Sequence, residues 1–165
     1  MMAALAAGGL PLLVDQRRPA DAHNPRGYFE DARVLELAQN SDWLRGQQGK
    51  GVKILSHLLR HIPPDVPTRV LFMRRPLPQV LASQNAMLGE ASAPPEVAQL
   101  MARDLAATLL WAEQQNHLCC LEVPYLELLQ DPQAQFARVL DFLQLPLDLA
   151  AMVATVDPTL HRQRL

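Results

Sequence analysis

The stretch Arg69-Val-Leu-Phe-Met-Arg-Arg75-Pro-Leu-Pro-Gln-Val-Leu-Ala-Ser83 decides the fold. Val70 to Met73 is bulky and apolar without polar alternation, the pattern of a strand buried on both faces of a parallel sheet. Two arginines end the run. Pro76 and Pro78 follow, and prolines are tolerated in the first turn of a helix because the N–H groups there have no helical partner anyway. Val80, Met87 and Leu88 mark the buried stripe of that helix, and Ser83 falls beside it, where a hydroxyl needs a partner. The unit is strand, turn and helix, with cations at the strand's carboxyl end. In open α/β sheets ligands bind at that edge, and a helix N-terminus there favours anions.

Working outward, the pattern predicts a helix at 2–7, a short strand at 11–14, a loop through Gly27, a helix at 30–40 and a strand at 51–56. Beyond the strand at 69–75 and the helix at 77–90 comes a long helix from Pro95 to Asn116, striped by Val97, Met101, Leu105, Leu109 and Ala112. Leu100, Met101 and Trp111 read as core packing. Arg103, Asp104 and Glu113 read as a solvated face. A strand at 118–124 and helices at 132–143 and 147–155 complete the chain. Strands separated by helices imply crossover connections, hence an α/β domain with a parallel sheet between helical layers.

Composition sets the bounds. A chain of 165 residues makes one domain, 1–165, with room for a sizeable core. Apolar residues at 49% and charges at 19% argue against disorder. Net charge is −2 and basic residues cluster in runs no longer than two, which argues against nucleic-acid binding. The apolar N-terminal stretch has no cationic leader and is broken by Gly8-Gly9 and Pro11, so it reads as neither a signal peptide nor a membrane span. Cys119 and Cys120 are adjacent, where a bridge would be strained, and one pair makes no metal site. Buried free thiols and a reducing cytoplasm are the expectation, with no metal.

Arg75, followed eight positions later by Ser83, resembles the 3′-phosphate-binding segment of sulfotransferases, enzymes that use 3′-phosphoadenosine-5′-phosphosulfate. The resemblance implies that Arg75 and Ser83 both hold the 3′-phosphate of this co-substrate, work that suits a permanently charged planar guanidinium. Read alone, they also fit a surface arginine pair and a serine bonded to its own helix. Asn24-Pro25-Arg26-Gly27-Tyr28-Phe29-Glu30 resembles the loop near the acceptor side in bacterial members, and alone is a turn signal. Leu121-Glu-Val-Pro-Tyr125-Leu-Glu-Leu-Leu-Gln-Asp131-Pro132 is similar to the family's strand, tyrosine and "YEDL…DP" segment, which implies that Tyr125 lies near the adenine. Alternatively Tyr125 only closes a buried strand. Phe136 to Leu149 resembles the helix and turn that follow, a matter of packing.

Sulfuryl transfer needs a base for the acceptor's proton, and histidine suits neutral pH. Gly51-Val-Lys-Ile-Leu-Ser56-His57 resembles the family's strand ending in a hydroxyl residue and histidine, which implies that His57 is the catalytic base. The family's lysine is replaced by Leu55, Lys53 stands two residues earlier, and His61 competes. His23, His117 and His161 read as ordinary surface residues. Animal-type members bring a basic segment near the C-terminus over the 3′-phosphate; the resemblance offers Arg162 or Arg164 for that role on a poor motif match, and a frayed basic tail is the default reading.

The departure lies at the start. The family's first strand and its loop, roughly Gly-x-Pro-x-Ser-Gly-Thr, cradle the 5′-phosphosulfate with backbone N–H groups, and no such segment occurs here. The resemblance implies a three-layer P-loop-type parallel sheet flanked by helices, with that strand and phosphate loop missing. An internal methionine taken as the start is the expected reason, with a truncated gene and a loop-less descendant as the alternatives. Three functions remain open. One is a sulfotransferase whose complete form acts on a hydroxyl or amine of a small-molecule or protein acceptor. The others are a noncatalytic remnant that binds a nucleotide bisphosphate or a protein partner, and an unrelated nucleotide-binding α/β protein.

Overall fold

The computed structural model describes residues 1–15, 17–21, 24–88, 95–157 and 159. Helix α1 spans Met2–Ala7, strand β1 Thr68–Arg74, helix α2 Leu77–Leu88 and helix α3 Pro95–Glu113. Strand β2 follows at Leu118–Pro124, then α4 Tyr125–Gln130, α5 Pro132–Leu143 and α6 Leu149–Ala154. Three 3₁₀ turns, Ala32–Glu36, Asp42–Leu44 and Ser56–His61, occupy the first half. The result is a mixed helix–strand fold with a small parallel sheet flanked by helices.

β1 and β2 pair in parallel, from Thr68 opposite Leu118 to Arg74 opposite Pro124. Parallel partners need a long crossover, and α2 and α3 lie in it. Side chains alternate across the pair with period two. Leu71, Met73, Leu121 and Val123 join Leu5, Phe136, Val139 and Met152 in one cluster, built from α1, α5 and α6. Val70, Phe72, Leu118 and Cys120 turn the other way, onto Leu37, Leu58, Leu59 and Ala112.

Local chemistry sets the boundaries on the α5–α6 side. Asp131 accepts a hydrogen bond from the Ala134 N–H (3.0 Å) and Pro132 opens α5, while Gln144 closes it in the left-handed region at φ 52°. Asp148 caps α6 through the Ala151 N–H at 3.0 Å. α1 approaches α6 so closely that a Cβ on Gly8 would sit 2.7 Å from the Met152 Cγ. A side chain at this position would have to displace Met152.

Several expectations are corrected. Residues 30–40 do not form an α-helix. Val34 and Leu37, three apart, are buried while Leu35 stays 69% exposed, the footprint of a 3₁₀ turn rather than of a 3.6-residue stripe. The strands expected at 11–14 and 51–56 reduce to one parallel bridge, Leu12 to Gly51, and Ser56 already belongs to a 3₁₀ turn. On α3, Val97 and Leu100 are exposed, and Thr108 takes a buried place on the inward face. Trp111 packs in the core. Cys119 is exposed and Cys120 half-buried, both free thiols. Cys119 shares a face with Leu121 and Val123 but lies outside the cluster they join. Among the described residues, no helix is long and apolar enough to cross a membrane.

Candidate functional site

The carboxyl ends of β1 and β2 lie side by side, so the residues that follow them meet. Arg75 leaves β1, and Tyr125 leaves β2 as the first residue of α4. The Arg75 guanidinium stands over the Tyr125 ring, 5.1 Å from its centroid. Arg75 Nε also donates to Oε1 of Gln79 at 3.3 Å, and Gln79 is buried on the first turn of α2. The α2 backbone opens on Pro76, whose carbonyl accepts from the N–H groups of Gln79 and Val80. A cation–π contact and a neutral amide position the guanidinium, and neither neutralises its charge.

Two cavities meet here. The smaller, about 530 Å³, is lined by Arg74, Arg75, Leu77, Leu105, Tyr125 and Glu127. The larger, about 1190 Å³, also reaches Arg74, Arg75, Leu77 and Leu105, and runs along β1 to residues 49–57. Arg75 therefore stands at the junction. Beside it, Arg74 is paired with Glu122 at 3.2 Å, across the register of the two strands.

His57 is exposed on the Ser56–His61 turn and lines the larger cavity. His61, at the end of that turn, lines neither cavity, which separates the two candidates for a base. Lys53 lines the larger cavity too, but its ammonium is held by Glu30 Oε1 (2.9 Å) and the Tyr28 carbonyl (3.2 Å). It ties the Asn24–Glu30 loop to the 51–55 segment. Within that loop, the Tyr28 hydroxyl donates to Asp21 Oδ2 at 2.7 Å, and this bond pushes the phenol's pKa upward.

Ser83 is half-buried on the second turn of α2 and lines neither cavity. Arg162 and Arg164 lie outside the described residues, as do His23 and His161. Among the described residues no group of three or more His, Cys, Asp and Glu side chains gathers to hold a metal ion. Gln79 and Glu127 are site residues the sequence reading missed. Gln79 was within reach: it follows Arg75 by four positions, the spacing that brings helical side chains together. Glu127 carried no comparable signal, because α4 was not expected.

Comparison with protein-family models, with curated proteins and with solved structures finds no match to this chain.

Proposed function

We propose that this chain carries the nucleotide-binding part of a sulfotransferase-type α/β domain. In this reading the sheet and its helices are most of a three-layer P-loop-type fold, and the complete form moves a sulfuryl group from 3′-phosphoadenosine-5′-phosphosulfate to a hydroxyl or amine. One observation carries the reading: Arg75 and Tyr125, from neighbouring parallel strands, meet at the strand ends in one cavity of about 530 Å³. A fixed cation beside an aromatic face suits a nucleotide, with phosphate on the guanidinium and the base against the ring.

His57, which lines the larger cavity together with Arg74 and Arg75, is the proposed base. It would take the acceptor's proton as the acceptor oxygen or nitrogen bonds to sulfur. The bond from sulfur to the 5′-phosphate oxygen breaks in the same step and releases adenosine 3′,5′-bisphosphate. Charge on the transferring group needs donors from a phosphate loop, which the family's pattern supplies and these residues lack. Nucleotide binding without turnover is therefore the expected behaviour of the chain alone.

A second reading is a noncatalytic binder, and the absence of Ser83 from the lining of both cavities favours it. Calorimetric titration with adenosine 3′,5′-bisphosphate tests both readings. The Arg75→Ala variant is expected to lose about 1.5–3 kcal/mol of binding free energy, as for a hydrogen bond to a charged group. Equal binding by both proteins removes Arg75 from the site. If Ser83→Ala binds as tightly as the parent, the serine is not a ligand and the binder reading gains.

A further inference from the structure

The larger cavity has the form of a strand's seat. One wall is continuous from Val66 to Arg75 and the other from Gln47 to His57. β1 pairs with β2 on one edge, and among the described residues the two make a sheet of two strands. The Thr68 N–H donates to the His117 carbonyl at 2.8 Å, which fixes the parity of β1. Along a parallel strand, alternate residues direct both N–H and C=O to the same side. Thr68, Val70, Phe72 and Arg74 therefore bond toward β2, and Arg69, Leu71 and Met73 direct theirs to the opposite edge of β1, along the residues that line the cavity. On the far wall, Gly51 spends its N–H on Pro11 and its carbonyl on Leu13. β1 and the extended residues 51–55 thus line the same cavity. His117 lines one end of it, with Nε2 buried and no hydrogen-bond partner among the described residues.

We infer that this cavity is a docking groove for an extended polypeptide strand with an apolar middle and acidic ends, lying parallel to β1. An unpaired strand edge is a ready template for main-chain pairing, the mode in which an added strand binds a sheet. The seven residues of β1 give a length of about 23 Å, enough for a strand of similar size. Such a strand would contact both core clusters, so side chains on both of its faces must be apolar. Charge selects the ends. Lys50, Lys53, Arg69, Arg74 and Arg75 line the cavity against one carboxylate, Asp104. Lys53 and Arg74 pair with Glu30 and Glu122, whereas Lys50, Arg69 and Arg75 bond neutral groups. Arg69 and Arg75 stand at opposite ends of β1, and Lys50 lines the far wall. The inference does not depend on the nucleotide reading.

The test titrates the full chain with the capped peptide Glu-Asp-Val-Ile-Val-Val-Phe-Val-Asp-Glu and follows amide hydrogen exchange. Micromolar binding is expected, with new protection at Arg69, Leu71 and Met73. Proline for the two central valines removes ladder donors and should weaken binding roughly tenfold or more. Lysine for the acidic ends should weaken it as well. Absence of binding, equal binding of the proline peptide, or binding that leaves those three amides unprotected overturns the inference. Protection of the same amides in the chain alone, rising with its concentration, assigns the groove to a second copy and overturns it too.

Discussion

β1 and β2 are of equal length, seven residues each, and both carry apolar runs, yet they end in different surroundings. β2 sinks Leu118 and Val123 fully, and the helices after it contribute Phe136, Val139 and Met152, each at most 1% exposed. In β1 every residue from Val70 to Met73 stays half-buried. The difference follows from what lies beside each strand. A cavity of about 1190 Å³ runs along β1, and side chains on both faces lose part of their cover. Burial of an apolar run is thus a property of its neighbours as much as of its residues. The same open edge leaves the strand ends accessible, and Arg75 stands there.

The sharpest way to break this contrast is to damage each flank in turn. Phe136→Ala empties the closed flank and should cost about 3–5 kcal/mol of unfolding free energy, measured by denaturant titration. Arg75→Ala acts on the open flank and leaves stability nearly unchanged, while costing the 1.5–3 kcal/mol of bisphosphate binding given above. Phe72→Ala removes a half-buried ring of β1, and roughly 1–2 kcal/mol is expected because much of its area already borders the cavity. A loss equal to that of Phe136→Ala would mean that the open edge is not open in solution. Removing the α5 cap by Asp131→Ala should cost about 1 kcal/mol.

Smallest is a pH effect near the second cluster. Asp31 accepts from Arg33 Nε at 2.9 Å and from the Arg33 backbone N–H at 3.0 Å, and these bonds lower its pKa below the ordinary 3.8. A depressed carboxyl contributes stability that is complete above 3.8 and fades as pH falls through the lower folded value. Arg33 is half exposed, so the term is under about 1 kcal/mol. Thermal unfolding of Asp31→Asn and the parent should converge as pH drops below that range. A gap that persists into strong acid would assign the effect to packing.

Where the sequence could be read, the reason was a local rule. Strand 118–124 and helix 132–143 match the observed β2 and α5 because their boundaries carry their own punctuation: Pro124 ends the strand, and the pair Asp131–Pro132 caps the helix. Arg75 and Tyr125 were singled out separately, and their contact follows from the parallel register that sets Arg74 opposite Pro124. Ser83 and the 51–56 segment were not legible in the same way. Whether an extended run becomes a strand depends on a partner from elsewhere in the chain, and 51–56 finds one only at Gly51. Helical spacing placed Ser83 beside a buried stripe but could not say which cavity the stripe borders. Leu35 and Leu100 mark the same limit, since periodicity assigns a face and packing decides whether anything covers it.

The measurement closest to the central claim is backbone amide NMR of the full chain titrated with adenosine 3′,5′-bisphosphate. Shifts concentrated at residues 74–79 and 124–127, lost in the Arg75→Ala variant, are the predicted result. Shifts elsewhere with those two segments silent, or an unchanged map in the variant, would contradict it.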